Sequence, residues 1–514
     1  MMTSRREHLR IAGLLIVLVL PHLLCASPNG ADGKRQLLGK LKPRHSGQIA
    51  ASPWGIQIGS LEKDHLARAA EIGIKWTRLQ ANWKEIEPQR GVYEWAKNDQ
   101  AFAYALENNI TPFVCLAGSN PIYCKQSAEI DARQKEIYGS SLMPPTEDPE
   151  ALAAWLKFVR VTVERYKNRI HYWEIWNEPN HPHYWGAPVD GTEYGHLVRE
   201  TAKAIKAVDP TAKLIGGALA GLNPEFTDKF LANGTAGLID IITFHNYGEL
   251  PEERIYKALE VWDVINKHNS GLELWQGECG YPSHSSTRDY RCSSPWGLNV
   301  QAKWLLRQSF TDVYFCRTTM SNYFKLVHMG GRGELPKRSF LTSVDSLLGF
   351  PTRGGARVKS VGVNEKCLLS NPDLAPKPAF FAYQNLCAVF DGKYKAVKSN
   401  SKVVVVDQGI FYGIGREDDA FPSIPLVSSF KSKDGLSLLA YWLPWHPQEI
   451  VKDATVTLKV DNATFKEPVL IDLLDGEVYN LSMKIEGSMC VFENIPMTDY
   501  PFVIAEKSQV TIGQ

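Results

Sequence analysis

The chain has 514 residues, which allows two to four ordinary domains, or fewer if one is an α/β barrel of about 250. Hydrophobic residues make up 44% and charged residues 22%, which excludes a disordered, coiled-coil or collagen-like chain. Lys+Arg number 57 against Asp+Glu 56, a net charge of +1, so no broad field exists to attract nucleic acid or an anionic membrane surface.

Arg5, Arg6 and Arg10 precede an apolar run over 11–24, followed by Cys25, Ala26 and Ser27. A basic start, a short apolar stretch and small residues predict a secretory signal peptide at 1–26, and hence an exported protein. The run is too short for a transmembrane helix, which needs about 20 apolar residues, and no later segment is long and apolar enough. Residues 27–50 carry Gly30, Gly33, Lys34, Arg35, Lys40, Lys42 and Arg44 and read as a polar, solvated leader.

From Trp54 onward short β-branched or aromatic runs alternate with longer amphipathic stretches. The runs fall at 54–58, 76–79, 112–116, 172–176, 214–220, 239–244, 272–276 and 314–324. Helical patterns fall at 61–72, 99–108, 148–166, 193–207, 252–268 and 300–310, with a last one at 378–390. Asp148-Pro149-Glu150 is a strong helix start, with Pro in the first turn and acids at the positive end of the dipole. Eight such units predict a (β/α)8 barrel, an α/β fold, over 51–392. A doubly wound nucleotide fold is set aside, because Ile58-Gly59-Ser60 lacks the Gly-rich turn expected after its first strand. Beyond Asp391-Gly392, short strands at 403–406, 438–442, 454–460, 469–473 and 501–505 predict an all-β sandwich over 393–514.

Export would favour disulfides. Besides Cys25 the chain has Cys115, Cys124, Cys279, Cys292, Cys316, Cys367, Cys387 and Cys490, with no C-x-x-C pair to suggest a zinc ribbon. Cys115–Cys124 and Cys279–Cys292 are close enough in sequence to staple loops, although spacing leaves the connectivity open. Sequons at Asn109, Asn233, Asn462 and Asn480 are candidate glycosylation sites.

Chemistry on a barrel belongs at the C-terminal ends of its strands. The fourth run gives His171-Tyr172-Trp173-Glu174-Ile175-Trp176-Asn177-Glu178-Pro179-Asn180. There Pro179 is expected to hold Glu178 in an extended conformation and so to fix its direction. The seventh gives Leu274-Trp275-Gln276-Gly277-Glu278-Cys279-Gly280, with Glu278 bracketed by glycines that permit close approach. Strands four and seven stand across a barrel mouth, so Glu178 and Glu278 can face one cleft. Two facing carboxylates are what glycoside hydrolysis requires. Trp54, Trp83, Trp185 and Trp296, drawn from 14 Trp in all, lie near loops and are candidates for stacking on sugar rings.

The stretch from Trp173 to Asn180 resembles the Asn-Glu-Pro motif of clan A glycoside hydrolases, and family 39 in particular. The resemblance implies that Glu178 is the acid/base, that Asn177 contacts the sugar 2-hydroxyl and that Glu278 is the nucleophile. It also implies a strand-two arginine, matched by Arg78 in Trp76-Thr77-Arg78. A His/Tyr pair after strand six is matched by His245 and Tyr247 in Phe244-His245-Asn246-Tyr247. Typical members carry Thr-Glu-Tyr or Thr-Glu-Phe at the nucleophile, whereas this chain has Gly277-Glu278-Cys279-Gly280.

The expectation is a secreted retaining glycosidase acting on a β-linked oligosaccharide or polysaccharide, with no metal or organic cofactor and no nucleic-acid partner. A catalytically silent carbohydrate-binding protein on the same barrel is one alternative. A metal-dependent hydrolase using His181 and His183 is another, weakened because such enzymes place His-x-His after the first strand.

Overall fold

The computed structural model describes residues 35–59, 62–128, 141–186, 188–247, 250–283, 296–327, 366–370, 373–411, 424–447, 451 and 453–513. The expected signal peptide and Cys292 lie outside the described residues. The first strand is β1 (Leu37–Leu41), followed by eight parallel strands that close a barrel. These are β2 (Trp54–Gln57), β3 (Trp76–Asn82), β4 (Thr111–Ala117), β5 (Tyr172–Ile175), β6 (Lys213–Ala220), β7 (Ile241–His245), β8 (Glu273–Cys279) and β9 (Met320–Phe324). Closure is made by β2 against β9, with Trp54 opposite Ser321 and Gln57 opposite Phe324.

A helix follows every barrel strand, including Pro224–Leu231, which the periodicity did not single out. The helix Pro149–Tyr166 starts as expected, with the Asp148 side chain accepting from the Glu150 amide. The eighth strand is shorter than its apolar run, because Thr311–Phe315 continues the preceding helix as a π turn before the strand begins at Met320.

Side chains two apart on a strand face the same way, so the barrel interior is built in layers. The floor is apolar and aromatic: Phe113, Ile215, Ile241, Trp275 and Met320, packed with Trp76 and Tyr172. Trp76 meets Tyr172 edge-on at 5.0 Å and Trp275 at 5.1 Å. Two residues further along β3, β4, β5, β7 and β9 come Arg78, Cys115, Glu174, Thr243 and Asn322, all buried. The apolar plug thus seals the barrel beneath a polar layer, and that layer carries the site.

The C-terminal strands form an antiparallel eight-stranded sheet and a four-stranded sheet. The reading of 27–50 as a solvated leader does not hold for Leu37–Leu41. That segment is β1, paired with the strands Glu477–Asn480 and Ile512–Gly513 of the larger sheet. Its leucines supply the apolar surface that the surrounding Lys, Arg and Gly obscured. The sandwich is tied to the barrel by buried charge. Arg307, on the helix Leu298–Phe310, donates to both oxygens of Glu252 at 2.7 and 2.7 Å. Trp442 of the sandwich donates to the same carboxylate at 2.8 Å, and Lys303 pairs with Asp499 at 2.8 Å.

Among the described residues no disulfide is formed, so the sequence proximity of Cys115 and Cys124 is not used to staple a loop. Cys115, Cys124, Cys279, Cys316, Cys367, Cys387 and Cys490 are free, buried thiols. Cys115 points into the polar layer and donates to the Trp176 carbonyl at 3.1 Å, away from any partner thiol. Thermal unfolding with and without dithiothreitol should therefore give the same Tm, since loss of a native disulfide would cost about 2–5 kcal/mol.

Candidate active site

Arg78 reaches from β3 into the centre of the barrel mouth with its side chain wholly buried. Its Nε donates to Glu174 Oε2 at 2.7 Å, its Nη1 to Glu278 Oε2 at 2.9 Å and its Nη2 to Asn177 Oδ1 at 2.9 Å. A guanidinium offers its donors in a rigid planar fork, which can fix three acceptors in one arrangement. The other oxygen of Glu174 accepts from Thr243 Oγ1 at 2.5 Å, so this buried carboxylate is held at both ends. The Thr243 hydroxyl also lies 2.9 Å from the Ala218 amide and accepts from it.

Glu278, at the end of β8, accepts from Arg78 on one oxygen and from the Tyr247 hydroxyl on the other, at 2.6 Å. Burial pushes its carboxyl up. The charge of His245, the Arg78 guanidinium, the Tyr247 hydrogen bond and Lys366 outweigh that, and hold Glu278 below its ordinary value. Glu278 is therefore an ionised carboxylate aimed into the cleft, with 14% of its side chain exposed. The glycine after the neighbouring cysteine is required sterically, because a Cβ on Gly280 would lie 1.7 Å from the Phe324 carbonyl oxygen.

Glu178 meets no guanidinium among the described residues. Its Oε1 lies 2.8 Å from His245 Nδ1, and 12% of its side chain is exposed. The extended conformation expected from Pro179 is not observed, because Glu178 has φ +48°, in the left-handed region. Tertiary hydrogen bonds override the local preference: the Glu178 amide donates to the Ala218 carbonyl at 2.9 Å, and its own carbonyl accepts from the His181 amide at 2.9 Å. Trp176 (φ +70°) and Ala218 (φ +46°, at an irregularity in β6) are strained in the same way. Such conformations cost about 1–3 kcal/mol each and persist where the surroundings over-determine them.

One oxygen of Glu178, one of Glu278 and a ring nitrogen of His245 all lie within 4.8 Å of one another. Two carboxylates and an imidazole are ligand types for a cation, but each oxygen of Glu278 already accepts a hydrogen bond, one from the Tyr247 hydroxyl and one from the Arg78 guanidinium, whose positive charge opposes a metal ion there. The six residues Arg78, Asn177, Glu178, His245, Tyr247 and Glu278 are thus brought together in one cluster.

The tryptophans are not part of it. Trp54 and Trp185 are completely buried, the first donating to the Phe390 carbonyl and the second to Glu193. Trp83 and Trp296 are buried too, packed on Tyr123 and on Trp304 respectively. A buried ring has no face to offer a sugar. Tyr184, in the loop region after β5, is 42% exposed and packs against the rings of His181 and His183 at 5.5 and 4.9 Å. His183 Nδ1 lies 3.0 Å from Ser141 Oγ and His181 Nδ1 accepts from the His183 amide, so these histidines order a loop. Glu174 and Thr243 were not singled out from sequence, although their inward register on β5 and β7 was the available signal.

The sequence pattern of Glycosyl hydrolases family 39 matches residues 67–267. A beta-xylosidase of Geobacillus stearothermophilus is 38% identical over 195 residues, 34% of this chain and 37% of that protein. The chain thus spans little more than a third of this curated relative. Among solved structures, a family 39 glycoside hydrolase from Bacteroides cellulosilyticus WH2 shares the fold, with TM-score 0.57 and 17% identity over 88% of this chain and 81% of that one. A family 30 endoxylanase from Clostridium papyrosolvens C71 does so with TM-score 0.57 and 10% identity, over 91% and 98% of the two chains. A monomeric beta-xylosidase from Caulobacter crescentus CB15 gives 0.52 and 18% over 89% and 98%. In its barrel sequence, and in the architecture it shares with these structures, the chain resembles clan A glycoside hydrolases of family 39.

Proposed function

We propose that the protein is a retaining glycoside hydrolase that cleaves β-linked saccharides by double displacement. The observation that carries this reading is the spacing of two unequal carboxylates, with an oxygen of Glu178 within 4.8 Å of an oxygen of Glu278. Carboxyl groups about 5–5.5 Å apart suit covalent catalysis, whereas inversion needs roughly 6.5–9.5 Å to seat a water.

In the first step Glu278 attacks the anomeric carbon, the bond to the leaving oxygen breaks and Glu178 gives that oxygen its proton. In the second, Glu178 takes a proton from water, whose oxygen displaces Glu278 from the same carbon. Arg78 and Tyr247 orient the nucleophile, and Tyr247 can follow the charge as it leaves the carboxylate. Asn177, fixed by Arg78, is placed to hold the sugar 2-hydroxyl. His245 beside Glu178 is placed to assist its proton traffic. The resemblance to family 39 and the name of the Geobacillus relative make aryl β-xylosides the first substrates to assay. A silent binding protein has no need of an ionised, doubly oriented Glu278 opposite a second carboxylate. Export belongs to the same proposal and is supported by the Arg-led apolar run at 11–24.

Proton NMR of the first-formed product should show the β anomer, and initial release of the α anomer would contradict double displacement. Glu278→Gln should remove nearly all turnover. Glu178→Gln should lower kcat/KM about 10²–10⁴-fold on poor leaving groups. The loss should be much smaller with dinitrophenyl glycosides, whose leaving oxygen needs no proton. Tyr247→Phe removes a hydrogen bond that favours ionised Glu278, so its pKa should rise. The acid limb of kcat/KM against pH should then move to higher pH, and an unmoved limb would show that Glu278 is not the group titrating there.

A further inference from the structure

Glu278 is followed by a cysteine whose thiol the two-carboxylate mechanism does not use. Cys279, the last residue of β8, is wholly buried, and burial raises its pKa against the opposing charge of Arg254. The sulfur therefore keeps its proton and donates, and it does so to the Asn246 carbonyl at 2.9 Å. The Asn246 amide donates to the Glu278 carbonyl at 3.2 Å. Both backbone groups of Asn246 are thus held by consecutive residues at the end of β8.

Asn246 sits between the two side chains that touch the carboxylates. Before it, at the end of β7, His245 lies 2.8 Å from Glu178; after it, Tyr247 donates to Glu278 at 2.6 Å. The pairing of β7 with β8 shifts register between Phe244 and His245, so the regular ladder has ended where the chain turns toward Tyr247. The thiol supplies a tie at that point.

A buried ion pair fixes the thiol. Arg254, the first residue of the helix Arg254–His268, donates to Asp312 at 3.2 Å, and neither side chain is exposed. Its Nη2 donates to the Tyr281 hydroxyl at 2.8 Å and lies 3.6 Å from Cys279 Sγ. Asp312 belongs to the π turn Thr311–Phe315, and its other oxygen accepts from Ser321 of β9 at 2.7 Å. A guanidinium buried this deeply is tolerable only with such partners, and its planar fork holds the sulfur in one place.

We propose that Cys279, held by Arg254, is a positioning residue that places Tyr247 against Glu278 through the Asn246 carbonyl. The inference rests on the hydrolase reading for its effect on turnover, and deepens it by naming what sets the nucleophile's partner. The charges that act on Glu278 are those of Arg78, His245, Lys325 and Lys366. Replacing a neutral thiol changes none of them, so its effect on Glu278 has to travel through geometry.

The test follows the Glu278 carboxyl by carbon NMR of protein labelled at its glutamate carboxyls, the signal being assigned by its loss in Glu278→Gln. Cys279→Ala should raise the Glu278 pKa, because a displaced Tyr247 hydroxyl no longer favours the ionised form. Cys279→Ser, which can still donate to Asn246, should restore most of the wild-type titration. Arg254→Lys keeps a cation beside Asp312 but loses the planar fork, and should raise the Glu278 pKa by a smaller amount. In the Tyr247→Phe background Cys279→Ala should move the titration much less than in the wild type, since residues acting through one another are not additive. With an aryl β-xyloside, Cys279→Ala should lower kcat about 10–100-fold at little changed KM, as misplacing a catalytic group does. A Glu278 titration unmoved by both Cys279→Ala and Arg254→Lys would overturn the inference and leave the hydrolase reading intact. So would a shift from Cys279→Ala that is equally large with and without the Tyr247 hydroxyl. The NMR titration needs no turnover, so it decides the inference even if no glycoside were hydrolysed.

Discussion

The site depends on one buried guanidinium. Arg78 has no exposed side-chain surface and lies between Glu174 and Asn177, from the end of β5, and Glu278, from the end of β8. A charge in that position is tolerable only when its neighbours are anionic or hydrogen-bonded. Removing one partner of such a pair leaves an uncompensated ion and typically costs about 3–5 kcal/mol. In the proposed mechanism the same group orients the nucleophile, holds Asn177 for the sugar 2-hydroxyl and helps to keep Glu278 ionised. Stability and chemistry are coupled through it. Glu174 pairs with Arg78 from below, so in the proposed mechanism Arg78 keeps a buried partner when Glu278 is esterified.

The second carboxylate is held by the backbone. Glu178 owes its direction to a left-handed conformation, pinned between the Ala218 carbonyl and the His181 amide. The irregularity in β6 that presents Ala218 is itself tied to the Thr243 hydroxyl, which also holds Glu174. A chain of contacts therefore runs from the buried counter-ion of Arg78 to the backbone of Glu178. The two carboxylates are set by one network, but with different electrostatic surroundings: an arginine for Glu278 and a histidine for Glu178.

The eight-strand alternation was legible because buried parallel strands leave apolar runs and their crossover helices leave amphipathic ones. Glu178 and Glu278 were legible because they follow such runs, at the strand ends where barrel chemistry gathers. The conformation of Glu178 was not, since the local effect of Pro179 is overruled by contacts with β6. The tryptophans misled for a related reason. Proximity to a loop in sequence does not say which face a ring turns, and Trp54 and Trp185 turn inward. Strand Leu37–Leu41 escaped notice because its partners, Glu477–Asn480 and Ile512–Gly513, lie more than 400 residues away.

The central claim is that Glu278, oriented by Arg78 and Tyr247, becomes covalently bound to the sugar. Incubation with a 2-deoxy-2-fluoro β-glycoside bearing a dinitrophenyl leaving group, followed by peptide mapping, tests it directly. The account predicts stoichiometric labelling of the peptide that contains Glu278, with loss of activity in step. Labelling on another carboxylate, or turnover with no trapped ester, would contradict it.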